Sequence, residues 1–370
     1  MAASFARARA LRARWVRGMD HPTRKVFHKS ESFVSIWAGG VEELWGERPV
    51  GERPDPPRAP PRRPRRPGPA GRPRGGARRA RARGRLLLQR GASAARPVIP
   101  YVPLERRSFR LHMGLRPLEP SRWLEFDEDA EAVLALRSRL IDSERARVVA
   151  LDEAGLAPSA ELLGVVLEHL ARWHPARARP VGCDHPLVEA ARLVEEDLCV
   201  MVREDAWRLR AAVVCFPSRW DLREKIGATL REIHGPVPGY GAALGGPVDA
   251  FFERIGEGRA HWRLNWTLLD TPDLFVPDAA RAAPSGDLAD WYFRVERQTF
   301  RRLPESGAVV FTIRTYVARA SELAERDPEF LGALTDQMAS APPATQAYKG
   351  WVGVVERLEA RRRASSRPGR

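Results

Sequence analysis

The sequence contains little cysteine, and its three cysteines are far apart. Cys183, Cys199 and Cys215 form no C-x-x-C pair, which excludes metal and redox sites built on closely spaced thiols. The usual iron–sulfur motifs need such spacing and are excluded with them. Few cysteines are typical of a reducing compartment, so we predict buried free thiols and a cytoplasmic protein.

Several other motifs are absent. No run of 18 apolar residues occurs, so no membrane-spanning helix is predicted. The chain has neither a G-x-G-x-x-G fingerprint nor a P-loop, which excludes the common dinucleotide and nucleotide motifs. If the chain takes part in redox chemistry, its electrons must therefore come from another protein.

Positive charge is concentrated at one end of the chain. The first 100 residues contain 24 Lys and Arg against 7 Asp and Glu, whereas residues 101–370 contain 38 against 40. We therefore predict no specific nucleic-acid partner for the larger part. Residues 54–84 are mostly Arg, Pro, Gly and Ala, so we predict a disordered extension over residues 1–96. A mis-assigned start codon, a polyanion-binding arm and a transit peptide are the alternatives.

The rest of the sequence predicts helices followed by strands. Residues 97–196 form a helical part packed on the core, with apolar residues at helical spacing after Asp129, over 159–174 and from Pro186. Extended runs over 197–202 and 207–216 predict one hairpin, and 291–300 and 308–317 predict another. Residues 261–269 alternate between apolar and polar and predict a fifth strand. Residues 321–370 form a C-terminal helical segment and a basic tail.

Helix candidates over 217–258 separate the second strand from the third. We predict an α+β fold in which residues 197–320 form a PAS-like core. This core is a five-stranded antiparallel sheet with a helical insert, flanked by helices on both sides in sequence. Such a sheet can leave one face open to a ligand beneath the insert.

His234 lies at the end of the predicted helix in the stretch REIHGPVPGY, directly before Gly235 and Pro236. Neutral imidazole is the commonest metal ligand in proteins and can bind haem iron from one side. A chain break beside it would fix the ring and let a flat cofactor approach the backbone. The alternative is a histidine that only caps a helix C-terminus.

Arginines occur on strands where the neighbouring residues are apolar. Arg263, Arg294 and Arg314 would need a carboxylate or a propionate if they point inward, and Glu296 is one possible partner. Arg219, in PSRW after the second strand, has the position of an anion clamp. The aromatic residues Trp266, Phe311 and Tyr316 are candidates for a pocket wall. The alternatives are solvated arginines and ordinary core aromatics.

Six blocks in the same order resemble the family of haem-dependent oxidative N-demethylase alpha subunits, long catalogued as a domain of unknown function (DUF3445-type). The resemblance covers about residues 100–360. The blocks are MGLRPLEPSRWLEFD, EEDLCVM, VVCFPSRWDLREKIGATLREIHGPVPGY, VDAFFERI, HWRLNWTLLD and VERQTFRRLPESGAVVFTIRTYV.

This resemblance implies that haem b lies between the sheet and the insert, with His234 as the axial iron ligand. It implies removal of a methyl group from a small secondary amine as formaldehyde, with O2 and external electrons. Flavin, a 2Fe–2S centre and NADPH would belong to a partner reductase.

For this mechanism we predict site roles from the residues themselves. Arg219 or Arg314 would donate hydrogen bonds to oxygen, and Glu296 would hold the amine N–H. Trp266 and Tyr316 would contact the amine. Trp266 is also predicted to contact the cofactor. Arg263 or Arg294 would meet the propionates. Two alternatives remain: a PAS-like haem or ligand sensor without turnover, and a scaffold subunit whose sheet is filled by its own side chains.

Overall fold

The computed structural model describes residues 99–104, 108–179, 182, 184–277 and 284–365. The predicted extension over residues 1–96 and Cys183 lie outside these ranges. Cys199 and Cys215 are buried free thiols, as predicted. Across the described ranges, no helix combines the length and the apolar character that a membrane crossing requires.

A seven-stranded antiparallel sheet organises the fold. Its order is β1-β5-β6-β7-β3-β4-β2, so the five predicted strands are all present in the middle. The prediction of five strands was incomplete because two short strands extend the edges. In chain order the strands are β1 (Arg116–Pro117), β2 (Val149–Leu151), β3 (Asp197–Arg203), β4 (Trp207–Val213), β5 (Ala260–Leu269), β6 (Tyr292–Arg302) and β7 (Val309–Arg319).

Helices precede β3, separate β4 from β5 and follow β7, which confirms the α+β class. The first group is α1 (Ala130–Ser143), α2 (Arg145–Val148), α3 (Leu156–Trp173) and α4 (Pro186–Leu193). The helical insert contains α5 (Leu230–His234), α6 (Tyr240–Ala243) and α7 (Gly245–Arg254). The last group is α8 (Ala320–Arg326), α9 (Phe330–Ala339), α10 (Pro343–Lys349) and α11 (Val354–Ser365).

The insert is less helical than its sequence suggested. Of the helix candidates predicted over 217–258, the first is a single 3-10 turn at Leu222–Glu224 followed by the short α5. A capping box fixes the start of α5, because the Thr229 side chain and the Glu232 carboxylate each accept from the other's backbone N–H. After α5, Gly239 has a φ of 76°, a left-handed conformation that glycine adopts without strain.

The register assigns every strand residue to one of two faces, because paired residues of antiparallel strands share a face. Arg263 pairs with Gln298 and Asn265 with Glu296, whereas Trp266 and Tyr316 both pair with Val295. We call the face that carries Glu296 and Gln298 the front face. The opposite face, which carries Val295 and Arg297, is the back face.

Helices cover most of the back face. Leu136 of α1 and Val166 of α3 share one apolar cluster with Leu198 and Val200 of β3. Toward β5, the C-terminal helices bring Leu334 and Trp351 into a second cluster with Trp266 and Phe293. The back-face side chains Phe293, Val295 and Thr299 of β6 are 0% exposed. The back face therefore contains most of the hydrophobic core.

The helical insert covers the front face only in part. Leu230 of α5 and Phe252 of α7 pack with Cys199, Met201 and Leu209 of β3 and β4. Because the insert consists of three short helices joined by Gly- and Pro-rich turns, it spans this end of the sheet rather than all of it. This partial coverage determines where a ligand can reach the sheet.

Candidate functional site

The front face of the sheet is incompletely covered beside the insert. Strand β6 is paired on both sides by β5 and β7, yet its front-face residues Glu296, Gln298 and Phe300 are only half-buried. Arg263 and Asn265 of the neighbouring β5 are half-buried as well. A central strand that is accessible on one face lacks a complete cover there. We call this space, with His234 at its side, the front groove.

His234 is the last residue of α5, and its backbone position orients the ring. The Nδ1 atom lies 2.8 Å from the Leu230 carbonyl oxygen. Because a carbonyl oxygen only accepts, Nδ1 carries the proton and Nε2 carries the lone pair. A hydrogen bond of this kind fixes the tautomer of metal-binding histidines. Nε2 is thus the atom available to a metal.

Charge and burial keep His234 neutral. Burial lowers the pKa of the imidazole, the Leu230 carbonyl partly opposes the shift, and the positive charges of Arg263 and Lys225 lower the pKa further. Only the neutral ring has the lone pair that a metal requires. The bond from Nδ1 to the Leu230 carbonyl also fits the predicted alternative of a histidine that caps a helix C-terminus.

Tyr240 holds the plane of the His234 ring. The two rings stack with centroids 4.6 Å apart and an interplanar angle of 10°. Tyr240 is 4% exposed, and its hydroxyl has no hydrogen-bond partner among the described residues. Burial raises the pKa of this phenol to about 12, so it remains a neutral donor. No sequence pattern identified this residue, although it lies only six positions after His234.

Arg263 brings an incompletely paired charge to the groove. Its Nε atom is buried and has no hydrogen-bond partner within the part of the chain that the structure describes. Burial lowers the pKa of the guanidinium, and the nearby charge of Glu296 opposes the shift. An unpaired buried donor is costly in a folded protein. Arg263 thus favours an anionic group of a ligand in the front groove.

Arg294, by contrast, is already occupied. Its guanidinium donates to the carbonyl oxygens of Leu274, at 3.1 Å, and Phe216, and to the Thr315 hydroxyl at 3.4 Å. The side chain is 0% exposed and attaches two loops to the sheet. Nε of Arg294, like that of Arg263, has no hydrogen-bond partner among the described residues, but of these two arginines only Arg263 is exposed enough for a propionate to reach.

Glu296 lies at the centre of the front groove with neutral amides around it. Its Oε2 accepts from Gln298 Nε2 at 3.1 Å and from Asn265 Nδ2 at 3.3 Å. The Arg294 Nε atom lies 3.7 Å from Oε1. The carboxylate is 13% exposed, so a ligand can reach it. Glu296 is therefore placed to accept a hydrogen bond from a small ligand.

Lys349, from the end of α10, completes the polar side of the groove. Its Nζ donates to the Trp266 carbonyl at 2.8 Å and lies 3.4 Å from Asn265 Oδ1. Burial lowers the pKa of the amine to about 8. No local pattern identifies this residue, because α10 reaches the sheet only through tertiary packing.

Three predicted site residues lie on the other side of the sheet. Arg314 and Tyr316 point to the back face, where Tyr316 donates to Glu125 at 2.7 Å. Trp266 also points there and stacks on Trp351, with centroids 4.8 Å apart. The prediction that these residues surround one pocket with His234 is therefore wrong in geometry, because the sheet separates them.

Arg219 lies in the loop after β4 in a left-handed conformation, with φ of 62°. Its backbone N–H donates to the Val276 carbonyl at 2.6 Å, and this contact fixes the loop. Arg219 is the only non-glycine residue with positive φ in the described ranges. A conformation of this kind is uncommon for a side chain of this size. Its oxygen-binding role stays a prediction.

Comparison with known families agrees with this architecture. Residues 176–358 match the family described as haem-dependent oxidative N-demethylase, alpha subunit-like. The matched range contains β3 to β7, the helical insert and all the groove residues named above. The family name indicates a haem-dependent oxidoreductase that forms one subunit of a larger complex. Over this segment, the chain is similar to the haem-dependent oxidative N-demethylase alpha subunit-like family.

Proposed function

We propose that this protein removes a methyl group from a small secondary amine in a haem-dependent oxidative reaction. The observation that carries the proposal is the orientation of His234, whose Nδ1–H is held by Leu230 while Nε2 is available for iron. The balanced reaction consumes the amine, O2, two electrons and two protons. One oxygen atom leaves in formaldehyde and the other in water.

We propose a PAS-like arrangement for the core that would hold haem b. Two hairpins, β3–β4 and β6–β7, enclose β5 in sequence, and the helical insert lies between β4 and β5. The insert contributes His234 and the sheet contributes Arg263, so a flat group between them would contact both. Unpaired polar atoms of Arg263 and Tyr240 at this place support the fit.

Each group in the front groove has a distinct task in this proposal. Haem, when bound, supplies the activation of dioxygen. His234 holds the iron from the side of the insert, and Tyr240 keeps the imidazole in its plane. Arg263 pairs with a propionate, which compensates its buried charge. Glu296 accepts the N–H of the amine and fixes the methyl group that reacts.

The electrons come from a partner reductase, for which flavin, a 2Fe–2S centre and NADPH are the proposed carriers. The alpha-subunit name of the family supports a partner of this kind. Arg219 remains a candidate donor to oxygen, and its backbone bond to Val276 joins its loop to the loop that follows β5. Arg314 is not proposed for this role, because it lies on the back face.

Formaldehyde release tests the proposal directly. The full chain, loaded with haem and supplied with a chemical reductant, O2 and dimethylamine, should release one formaldehyde for each amine consumed. A haem or ligand sensor of PAS-like architecture is the second candidate and would show the haem spectrum with no formaldehyde. A preparation that takes up no haem at all contradicts both.

Glu296→Gln should lower kcat/KM for formaldehyde release by roughly 10-fold to 100-fold, because a charge-assisted hydrogen bond to the amine is lost. Haem content should stay unchanged, since Glu296 does not contact the proposed iron ligand. Glu253→Gln on the exposed side of α7 is the matched control. Equal kinetics for Glu296→Gln and the wild type would exclude the assigned role.

Arg263→Leu should weaken haem binding by roughly 10-fold to 100-fold, the range typical of groups that support a metal site without ligating the metal. The haem affinity of Arg263→Lys should fall between those of the wild type and Arg263→Leu, because lysine keeps the charge without the forked geometry. Haem transfer to an excess of apomyoglobin measures the loss. Arg254→Leu, on the exposed side of the insert, should behave as wild type. A leucine variant at 263 with wild-type transfer rates would refute the pairing.

A further inference from the structure

A second cavity lies away from the front groove, at the edge of β7. Pairing between β7 and β3 ends where Ile313 faces Asp197, so β7 from Arg314 to Val317 borders a cavity of about 420 Å³. That volume lies within the usual range of small-molecule sites. We call it the edge cavity, lined by Tyr101, Glu125, Asp127, Arg314 and Tyr316 together with apolar side chains.

Carboxylates outnumber guanidinium groups around the edge cavity. The lining contains Glu125, Asp127 and Asp129 against Arg122 and Arg314. Behind this wall, Glu195 and Glu196 are 0% exposed, and Arg297 pairs with Glu125 at 3.2 Å. Burial raises the pKa of Glu195 to about 8 and also raises the pKa of Glu196, which favours the protonated form of both acids. The negative charge of the site therefore lies on the lining carboxylates, of which Asp127 is 33% exposed.

The positive charge of Arg314 is already neutralised. Its NH2 group lies 2.7 Å from Asp127 Oδ2 and 2.5 Å from Glu195 Oε2. The residue is 2% exposed, yet its Nε atom has no hydrogen-bond partner in the described residues. Nε2 of His174, another lining residue, is also buried and also has no hydrogen-bond partner in the described residues. Two polar atoms at the cavity are therefore not satisfied by the chain itself.

Two tyrosines form a rigid aromatic wall. The hydroxyls of Tyr101 and Tyr316 donate to the two oxygens of Glu125 at 2.6 and 2.7 Å. Their rings meet edge to face with centroids 5.8 Å apart. Burial raises the pKa of Tyr101 to about 12 and that of Tyr316 further, so both stay neutral. Fixed aromatic faces beside carboxylates suit an organic cation.

We propose that the edge cavity binds a small organic ammonium ion with an apolar body. Asp127, 33% exposed, meets the ammonium group. Ile99, Leu124 and Val133 contact the apolar body. The site lies on the opposite side of the sheet from His234, so the inference does not depend on haem binding.

Calorimetric titration of the full chain with tyramine tests the proposal. Two matched molecules isolate the charge: 4-ethylphenol lacks the ammonium group, and 3-(4-hydroxyphenyl)propionate replaces it with a carboxylate. Tyramine should bind roughly 10-fold to 100-fold more tightly than 4-ethylphenol, as a charged hydrogen bond predicts, and the propionate should not bind. Equal affinity for the neutral molecule, tighter binding of the anion, or no binding of tyramine would overturn the proposal.

Variants locate the site. Asp127→Asn should weaken tyramine binding about 10-fold and leave binding of 4-ethylphenol unchanged. Because Asp127 also pairs with Arg314, Ile99→Trp provides a second variant that fills the cavity without removing a charge, and it should block both molecules. Asp249→Asn, on the exposed side of the insert, and His234→Ala should both bind tyramine as the wild type does. Unchanged tyramine affinity in Ile99→Trp and Asp127→Asn would place the binding elsewhere and refute the assignment.

Discussion

The His234→Ala variant should lose the Soret band that the haem-loaded wild type shows. The imidazole forms the only proposed bond between the chain and the iron. Its removal leaves only supporting contacts, such as the proposed pairing of Arg263 with a propionate. Loss of a group that only supports a metal ligand costs 10-fold to 100-fold in metal affinity, so loss of the ligand itself should exceed about 100-fold. Absorbance titration of the apoprotein with haem measures the difference.

Two further variants distinguish ligation from a general effect on folding. His234→Gly with added imidazole should recover the Soret band, because the free ring can occupy the space of the missing side chain. His261, on the front face of β5 and packed against Phe251 at 5.2 Å, is the matched histidine. His261→Ala should keep the band. If His261→Ala loses haem and His234→Ala does not, the axial assignment is wrong.

Asp197→Ala should destabilise the fold by about 3–5 kcal/mol, the range expected when one partner of a buried ion pair is removed. Asp197 lies 3.0 Å from Arg137, and the two side chains are 1% and 0% exposed. The carboxylate also accepts from the backbone N–H groups of Cys215 and Phe216 at 2.8 and 3.1 Å. Its loss leaves a buried cation and two buried donors without partners. Urea unfolding followed by circular dichroism measures the change.

Asp249→Ala provides the control for this prediction. Asp249 pairs with Arg231 at 2.9 Å, but the two side chains are 40% and 62% exposed. Exposed pairs of this kind contribute at most about 1 kcal/mol. A free energy of unfolding that changes equally in the two variants would show that the Arg137–Asp197 pair has no special importance. Haem-free protein should be used for both, so that ligand binding does not affect the comparison.

The strand pattern could be predicted because it depends on local chemistry. The alternation of Trp262, Leu264 and Trp266 with Arg263 and Asn265 is a property of the chain itself, and the register confirms that these sets occupy opposite faces. Because Arg263 and Trp266 belong to different sets, they cannot line the same side of the sheet. The short edge strands β1 and β2, with two and three residues, contain no period and could not be predicted.

The composition of the site was only partly predictable. His234 was identified from the helix break beside it, and Arg263 and Glu296 from charges on strands. Lys349 reaches the groove from the C-terminal helices, 53 positions after Glu296 along the chain, so no local signal connects the two residues. The hydrogen bonds of Arg294 could not be predicted either, because its partners Phe216 and Leu274 belong to loops that only the fold brings to β6.

The sequence by itself determined the family resemblance, the central strands and the histidine beside the chain break, because these depend on residue order and on spacing within single segments. Tertiary structure decided which face of the sheet stays accessible. Pairing between β6 and β7 sends Arg314 and Tyr316 to the back, and the short helices of the insert leave the front groove uncovered. The physical reason is that alternation defines two faces, whereas only the packing of distant segments determines which of them a ligand can reach.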